Sequence, residues 1–277
     1  MRDQAQLAAV LQLDAGTARL EVQILLQRVL GVKRAYLIAH PERVLSEAED
    51  AAYQLLLQRR LQGEPIAYIL GEREFFGLSL GVTNATLIPR PDTELLVELA
   101  LERMLQNGAR VLDMGTGSGA IALALAHQRP DAAVWACDAS PAALAVARAN
   151  AQRLGLAQVH FIESNWFSAL NGQGFDVIVS NPPYIAAADH HLSQGDVRFE
   201  PLSALASGSD GLDDIRRIVS QAGAHLEPNG WLLLEHGYDQ ATPVRELLRA
   251  AGFAGVFSAK DLAGIERCSG GQLPTSA

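Results

Sequence analysis

The chain has 277 residues, long enough for one catalytic domain and a small accessory one, and with 49% hydrophobic and 19% charged residues it reads as an ordinary soluble globular protein. No apolar run approaches the roughly 20 residues that span a bilayer, and the opening MRDQAQLAAVLQLD is too polar for a signal peptide, so a cytoplasmic location and no membrane partner are expected. The net charge of −9 arises wholly after residue 73: residues 1–73 balance nine Lys/Arg against nine Asp/Glu, whereas 74–277 set 13 against 22, a balance that repels phosphate backbones and argues against direct nucleic-acid binding.

Up to about Arg60 the apolar residues recur at helical spacing, as in Leu20, Ile24 and Leu25 or Ala52, Leu55 and Leu56, with breaks expected at Gly16, Gly31 and Pro41. Residues 1–73 are predicted to form a small helical bundle. Gly63-Glu64-Pro65 interrupts the pattern, and residues 74–90 are predicted to form a linking hairpin. Its two short strands, around Phe75–Val82 and Thr86–Ile88, would flank a turn at Thr83-Asn84-Ala85.

From residue 91 to 277 short apolar strands alternate with amphipathic helices, the pattern of an α/β domain with a mostly parallel sheet covered on both faces. Strands are predicted at 110–114, 133–138, 159–163, 175–180 and 231–235. Helices are predicted at 120–127, 141–154, 213–225 and near 243–251, ahead of two weaker C-terminal strands. The cysteines, Cys137 and Cys268, lie neither in a CxxC pair nor at metal-ligand spacing, and His190-His191 read as solvated loop residues. No disulfide and no metal site are expected.

Two segments carry chemistry. Val111-Leu112-Asp113-Met114 runs into Gly115-Thr116-Gly117-Ser118-Gly119 and then a helix, where glycine permits a tight turn and close ligand approach and the helix start offers N–H groups. Asp138, ending the next strand, is placed to accept the hydroxyls of a ribose. Alone, this pattern also fits a dinucleotide-binding fold or a turn without a ligand.

The second segment, Phe175-Asp-Val-Ile-Val-Ser180, runs into Asn181-Pro182-Pro183-Tyr184. The prolines remove two donors and stiffen the loop, leaving carbonyls without ladder partners. Asn181 adds a side-chain acceptor. The combination suits a planar NH₂ group, with one hydrogen accepted by Asn181 and the other by the Pro182 carbonyl, and with Tyr184 packed against the plane. Both segments fall at carboxyl ends of neighbouring parallel strands, where open α/β sheets bind ligands. Together they match methyltransferases that use S-adenosylmethionine to methylate amino nitrogens. No general base lies in the loop, so catalysis by orientation is expected.

Further stretches narrow this: Glu64-Pro-Ile-Ala-Tyr-Ile-Leu-Gly71, Glu74-Phe-Phe-Gly77, Leu87-Ile-Pro-Arg-Pro-Asp-Thr-Glu94 and Gly195-Asp-Val-Arg-Phe-Glu-Pro-Leu202. With the two motifs, the chain resembles over nearly its whole length the HemK/PrmC family of release-factor glutamine methyltransferases. The resemblance implies a class I methyltransferase fold, with a Rossmann-like seven-stranded sheet, a helical N-terminal domain for release-factor recognition and a hairpin linker. It implies S-adenosylmethionine as cofactor and the glutamine of the Gly-Gly-Gln motif in class 1 peptide release factors as substrate. The implied cofactor site is Gly115, Thr116, Gly117, Ser118, Gly119, Asp138, Trp166 and Asn181. The implied substrate site is Asn181, Pro182, Pro183 and Tyr184, of which Asn181, Pro182 and Tyr184 are assigned to catalysis, with Arg90 and Glu94 as structural support. A monomer is expected. The competing substrates are a ribosomal-protein glutamine and an exocyclic amino group of DNA or RNA. Asn165 stands where similar proteins often carry an acid, and the tail repeats Gly270-Gly271-Gln272, for which chance is the better account than self-methylation.

Overall fold

Helix α1 (Arg2–Leu11) gives way to α2 (Ala15–Leu30) at Asp14, whose carboxylate accepts from the backbone N–H groups of Gly16 and Thr17. That cap makes the break expected at Gly16, which itself sits inside the first turn of α2. Gly31 does close α2, at φ 64°, a left-handed conformation that costs glycine little. After α3 (Arg34–Ala39), α4 (Glu47–Leu61) starts with a reciprocal Ser46–Glu49 capping box, and α5 (Ile66–Leu70) follows. The apolar faces of these helices bury Leu7, Val22, Leu25, Tyr53, Leu57 and Ile69 around one core.

The computed structural model describes residues 2–275 and divides into two units. The first ends at Glu72 but also takes in Ser193–Phe199, which the sequence pattern places in the α/β part. Arg60 gives the physical reason. Arg60 is only 3% exposed, and its guanidinium pairs with Glu21 through Nε at 2.8 Å and with Asp196 through Nη1 at 2.8 Å, so a buried charge requires the later segment.

The second unit, from Arg73, opens within a hairpin of β1 (Glu72–Phe75) and β2 (Leu78–Gly81). Its turn is Phe76-Gly77, with φ 50° and 78°, rather than Thr83–Ala85, and residues 86–88 form no strand. Two positive φ values in a two-residue connection match the right-handed strand twist.

The remaining elements are α6 (Glu94–Arg103), β3 (Arg110–Met114), α7 (Ala120–Gln128), β4 (Ala133–Asp138), α8 (Pro141–Leu154), β5 (His160–Glu163), β6 (Phe175–Ser180), α9 (Asp213–Ala222), β7 (Leu226–Glu235), α10 (Ala241–Ala250), β8 (Ala254–Lys260) and β9 (Glu266–Gln272). They build a seven-stranded sheet in the order β5-β4-β3-β6-β7-β9-β8, parallel except where β9 meets β7 and β8. β7 begins five residues before the predicted Trp231, because the polar Glu227-Pro-Asn-Gly stretch hides a strand whose Leu226 still pairs with Phe175. Two apolar layers cover the sheet. One holds α7, buried from Ala120 to Ala126, and the other receives Ile215, Ile218, Val219 and Ala222 of α9. That spacing of three, four and seven marks one helical face.

Gly270-Gly271-Gln272 lies in β9, with Gln272 paired to Trp231 at the amino end of the β7 core and its amide donating to the Asn229 carbonyl at 3.0 Å. A Cβ at Gly270 would come within 2.5 Å of Leu233, so packing against β7 accounts for that glycine. The tail is sheet, at the strand end opposite Ser180, where the Asn181 loop begins.

Asn150 joins three elements of this unit. Its Nδ2 donates to the carbonyls of Gly81 and Ser118, at 2.9 and 2.8 Å, and its Oδ1 accepts from Gly81 N at 2.7 Å. Replacing this buried side chain, Asn150→Ala, leaves those backbone groups without partners. It is expected to lower unfolding free energy by about 3 kcal/mol, measured by urea titration, and an unchanged midpoint would show that the tie is dispensable.

Candidate active site

β3 and β6 are adjacent and parallel, with Met114 opposite Ser180, and the Ser180 hydroxyl donates to the Met114 carbonyl at 2.8 Å. From β3 the chain builds outward through β4 and β5, then returns across the sheet to β6 and β7. The loops at the carboxyl ends of β3 and β6 therefore diverge and leave a crevice at this switch point.

In the loop after β3, Gly115, Gly117 and Gly119 have φ of 71°, 56° and 85°. Its backbone donors are used internally. Gly115 and Thr116 N–H donate to the Cys137 carbonyl at 2.9 and 3.0 Å, Gly117 N–H to Asp138 Oδ2 at 2.9 Å, and Gly119 N–H to the Thr116 carbonyl at 2.8 Å. A loop closed this way has few donors left for a pyrophosphate, unlike the dinucleotide reading that the glycines alone allowed. Asp113 braces it from within β3. Its fully buried carboxyl accepts from the Thr116 hydroxyl at 2.6 Å and Ala122 N–H at 3.1 Å, and burial pushes its pKa up to about 7.

A cavity of about 520 Å³ opens at the crevice, within the roughly 300–1,000 Å³ range of small-ligand sites. Of the expected cofactor residues, Gly115, Gly117, Asp138, Trp166 and Asn181 line it. Thr116, Ser118 and Gly119 are not brought to its wall. The Thr116 hydroxyl is turned to Asp113, the Ser118 carbonyl accepts from Asn150, and Gly119 packs on Leu123 and Ala147. Asp138 is held at both oxygens by the N–H groups of Gly117 and Ser140, the latter at 2.8 Å, which leaves further lone pairs on each oxygen.

Trp166 takes a positive φ of 54°, and its ring lies against Gly115, where a Cβ would stand 3.5 Å from Cζ3. Its Nε1 donates to Asp214 Oδ1 at 3.1 Å. Asp214, at the start of α9, and residues 84–87 also line the cavity and were not picked out from the sequence. The acid beside Asp213 carries no local motif, and 84–87 fall in the stretch whose pattern predicts a hairpin. Asn165 lines the cavity as well.

After β6, Asn181 and Pro183 reach the cavity, whereas Pro182 and Tyr184 do not line it. Asn181 Nδ2 donates to the Thr93 hydroxyl oxygen at 3.2 Å. Among the described residues nothing donates to Asn181 Oδ1 or to the Pro182 carbonyl. The Tyr184 hydroxyl donates to Glu235 Oε1 at 3.4 Å, at the end of β7. The Tyr184 carbonyl accepts from Gln240 Nε2 at 3.0 Å. Burial raises the pKa of the Tyr184 phenol, with the Glu235 carboxylate adding to it, so the phenol stays protonated.

Arg90 pairs with Glu200, a buried carboxylate that also accepts from Ile88 N–H at 2.9 Å, and Glu94 accepts from Phe76 N–H at 3.0 Å. Both brace the walls of the second unit. Asp189, His190 and His191 bring ligand atoms within 4.8 Å of one another on an exposed turn, and none of them lines the cavity.

The chain matches the family models "Methyltransferase small domain" over residues 91–197 and "PrmC N-terminal domain" over residues 4–71. The release factor glutamine methyltransferase of Pseudomonas aeruginosa is 56% identical over 259 residues, covering 94% of each chain. That of Salmonella typhimurium is 51% identical over 260 residues, again covering 94% of each. A methyltransferase structure from Pyrococcus furiosus overlays 79% of this chain and 98% of its own at a TM-score of 0.55 and 22% identity, a likeness of fold. The chain belongs to the HemK/PrmC family of release factor glutamine methyltransferases.

Proposed function

We propose that this chain methylates the side-chain amide nitrogen of a glutamine in peptide release factors, the glutamine of the Gly-Gly-Gln motif in class 1 factors, with S-adenosylmethionine as donor. The observation that carries the reading is the pair of acceptors without donors, Asn181 Oδ1 and the Pro182 carbonyl, at the end of β6 beside a nucleoside-sized cavity. Two acceptors match the two hydrogens of one planar NH₂. The relatives' shared name and the acid excess of residues 74–277 support a protein amide over a nucleic-acid base. The helical N-terminal unit, residues 1–73, is the proposed release-factor recognition part, with 74–90 as the linker, in a cytoplasmic monomer.

The cavity residues fit the cofactor chemically. Asp138 keeps lone pairs for ribose hydroxyls, Trp166 offers a flat face for a purine, and the glycines with internally bonded N–H groups leave room without demanding a phosphate. When bound, S-adenosylmethionine supplies an electrophilic methyl on a sulfonium that leaves as a neutral thioether. The protein's task is the nucleophile, because an amide nitrogen shares its lone pair with the carbonyl. Asn181 and the Pro182 carbonyl draw on the two N–H bonds, fix the plane of the amide and direct its nitrogen at the cavity. The nitrogen gains a carbon and gives up one hydrogen as a proton to water. Neither Asn181 nor the Pro182 carbonyl is an acid or base, so orientation carries the rate.

Labelled methyl transfer to a purified class 1 release factor is expected, and none to the factor with its Gly-Gly-Gln glutamine replaced. Label that persists after that replacement, or that goes to DNA instead, contradicts the proposal. Asn181→Ala is expected to lower kcat by on the order of 10², read in the same assay at saturating cofactor. Asp138→Ala should leave kcat near that of the parent while raising KM for S-adenosylmethionine roughly 10- to 100-fold, as the ribose contact lies away from the reacting nitrogen. A drop in kcat with unchanged KM would assign Asp138 a different role.

A further inference from the structure

Trp166, a wall of the cavity, is held at two places. Its φ of 54° lies in the left-handed region, which is far more costly for a residue with a Cβ and a large ring than for glycine, and which persists only where neighbours enforce it. The backbone is kept there by its carbonyl, which accepts from the Ser164 hydroxyl at 2.6 Å and from the Cys137 thiol at 3.7 Å. The indole is kept by Asp214, whose Oδ1 accepts from Nε1 at 3.1 Å, with the six-membered ring beside Gly115.

Asp214 is itself oriented. Its Oδ2 accepts from the Ser207 hydroxyl at 2.7 Å, and the same hydroxyl oxygen accepts from the Asp214 N–H at 2.8 Å. The one hydroxyl proton goes to the carboxylate and a lone pair to the backbone, so Oδ2 is engaged and Oδ1 is the oxygen that faces the indole. Ser207, 2% exposed, is pinned in turn, its N–H donating to the Ile185 carbonyl at 2.9 Å. Ile185 follows Tyr184. The chain of bonds therefore runs from the cavity wall after β5 to the segment that leaves the acceptor loop after β6.

Asp213 makes the contrast. It lies one residue earlier in the same first turn of α9 and pairs with Arg216 at 2.9 Å on an exposed face. A negative charge at a helix start is favourable at either position. What separates the two acids is the indole.

An indole has one donor, and two rotatable bonds join its ring to the backbone. Without an acceptor for Nε1 the ring can leave its seat beside Gly115. A purine then finds only the fraction of molecules with the ring seated, and the apparent Kd rises by the inverse of that fraction.

We propose that Asp214, oriented by Ser207, is a positioning residue for cofactor binding, a latch that takes the Trp166 indole proton and holds the ring in place for a purine. This rests on the reading of Trp166 as the purine's flat wall.

The test reads the latch in two ways on the full chain. In heteronuclear NMR spectra without cofactor, the three tryptophans give three indole N–H signals, and the one lost in Trp166→Phe belongs to Trp166. That proton should exchange slowly with water in the parent and in Asp213→Ala, and fast in Asp214→Ala. By equilibrium dialysis, Kd for S-adenosylmethionine should rise about tenfold in Asp214→Ala, the worth of one hydrogen bond to a charged group, and stay parental in Asp213→Ala. Adding Asp214→Ala to Trp166→Phe should raise it no further, since phenylalanine keeps a flat face but has no proton to latch.

A Trp166 indole that exchanges as fast as a free one in the parent overturns the latch, a result that needs no variant at Asp214. So does a rise in Kd from Asp214→Ala that is as large in the Trp166→Phe chain as in the parent, which would make Asp214 a direct contact of the cofactor. Parental Kd in Asp214→Ala while Trp166→Ala binds weakly also overturns it and leaves Trp166 as the wall. Parental Kd in Trp166→Ala instead removes the reading on which the latch depends.

Discussion

The site depends on one piece of register: Met114 and Ser180 lie opposite each other at the ends of two neighbouring parallel strands, joined by the Ser180 hydroxyl on the Met114 carbonyl. The next residue on one side is Gly115, and on the other Asn181. A loop suited to a nucleoside and a loop suited to an amide are thus set side by side before either touches a ligand. A one-residue slip between β3 and β6 would swap the two faces of one strand, sending side chains packed in one apolar layer into the other, so the two layers together enforce the register that the site needs.

Within that frame the two loops differ in how they use their polar groups. The glycine loop consumes its donors on Cys137, Asp138 and its own turn, making a stiff wall whose chemistry toward a ligand is that of Asp138 and Trp166. The loop after β6 does the reverse. Its prolines cannot donate, Gln240 holds it by the Tyr184 carbonyl, and Thr93 takes the donor end of Asn181. What remains is a pair of acceptors. A wall closed to phosphate beside a loop that only accepts is a coherent place to hold a nucleoside sulfonium against an NH₂ group.

Much of this was legible in the sequence because it is local. Apolar runs marked β3, β4 and β6, the glycines marked the turn after β3, and Pro182-Pro183 marked the stiff loop after β6. What was missed is mostly set by partners far along the chain. Thr93 and Glu235 meet Asn181 and Tyr184 only through the sheet, and Tyr184 turns its hydroxyl to Glu235, 51 positions away. Asp214 is indistinguishable from Asp213 by composition, and only the Trp166 indole selects it. The segment 193–199 follows Arg60 into the first unit because a buried guanidinium needs Asp196, a demand that spacing does not encode. Local signals misled where a glycine was read as a break: Gly16 lies inside α2 because Asp14 caps it, and the hairpin turn sits at Phe76-Gly77, one of whose positive φ values falls on phenylalanine.

A crystal structure with S-adenosylhomocysteine bound would test the switch-point site most directly. The account predicts ribose hydroxyls within hydrogen-bond distance of Asp138, the purine against Trp166 and the sulfur facing Asn181. Nucleoside density in any other cavity, or a ribose that leaves Asp138 bonded only to Gly117 and Ser140, would contradict it.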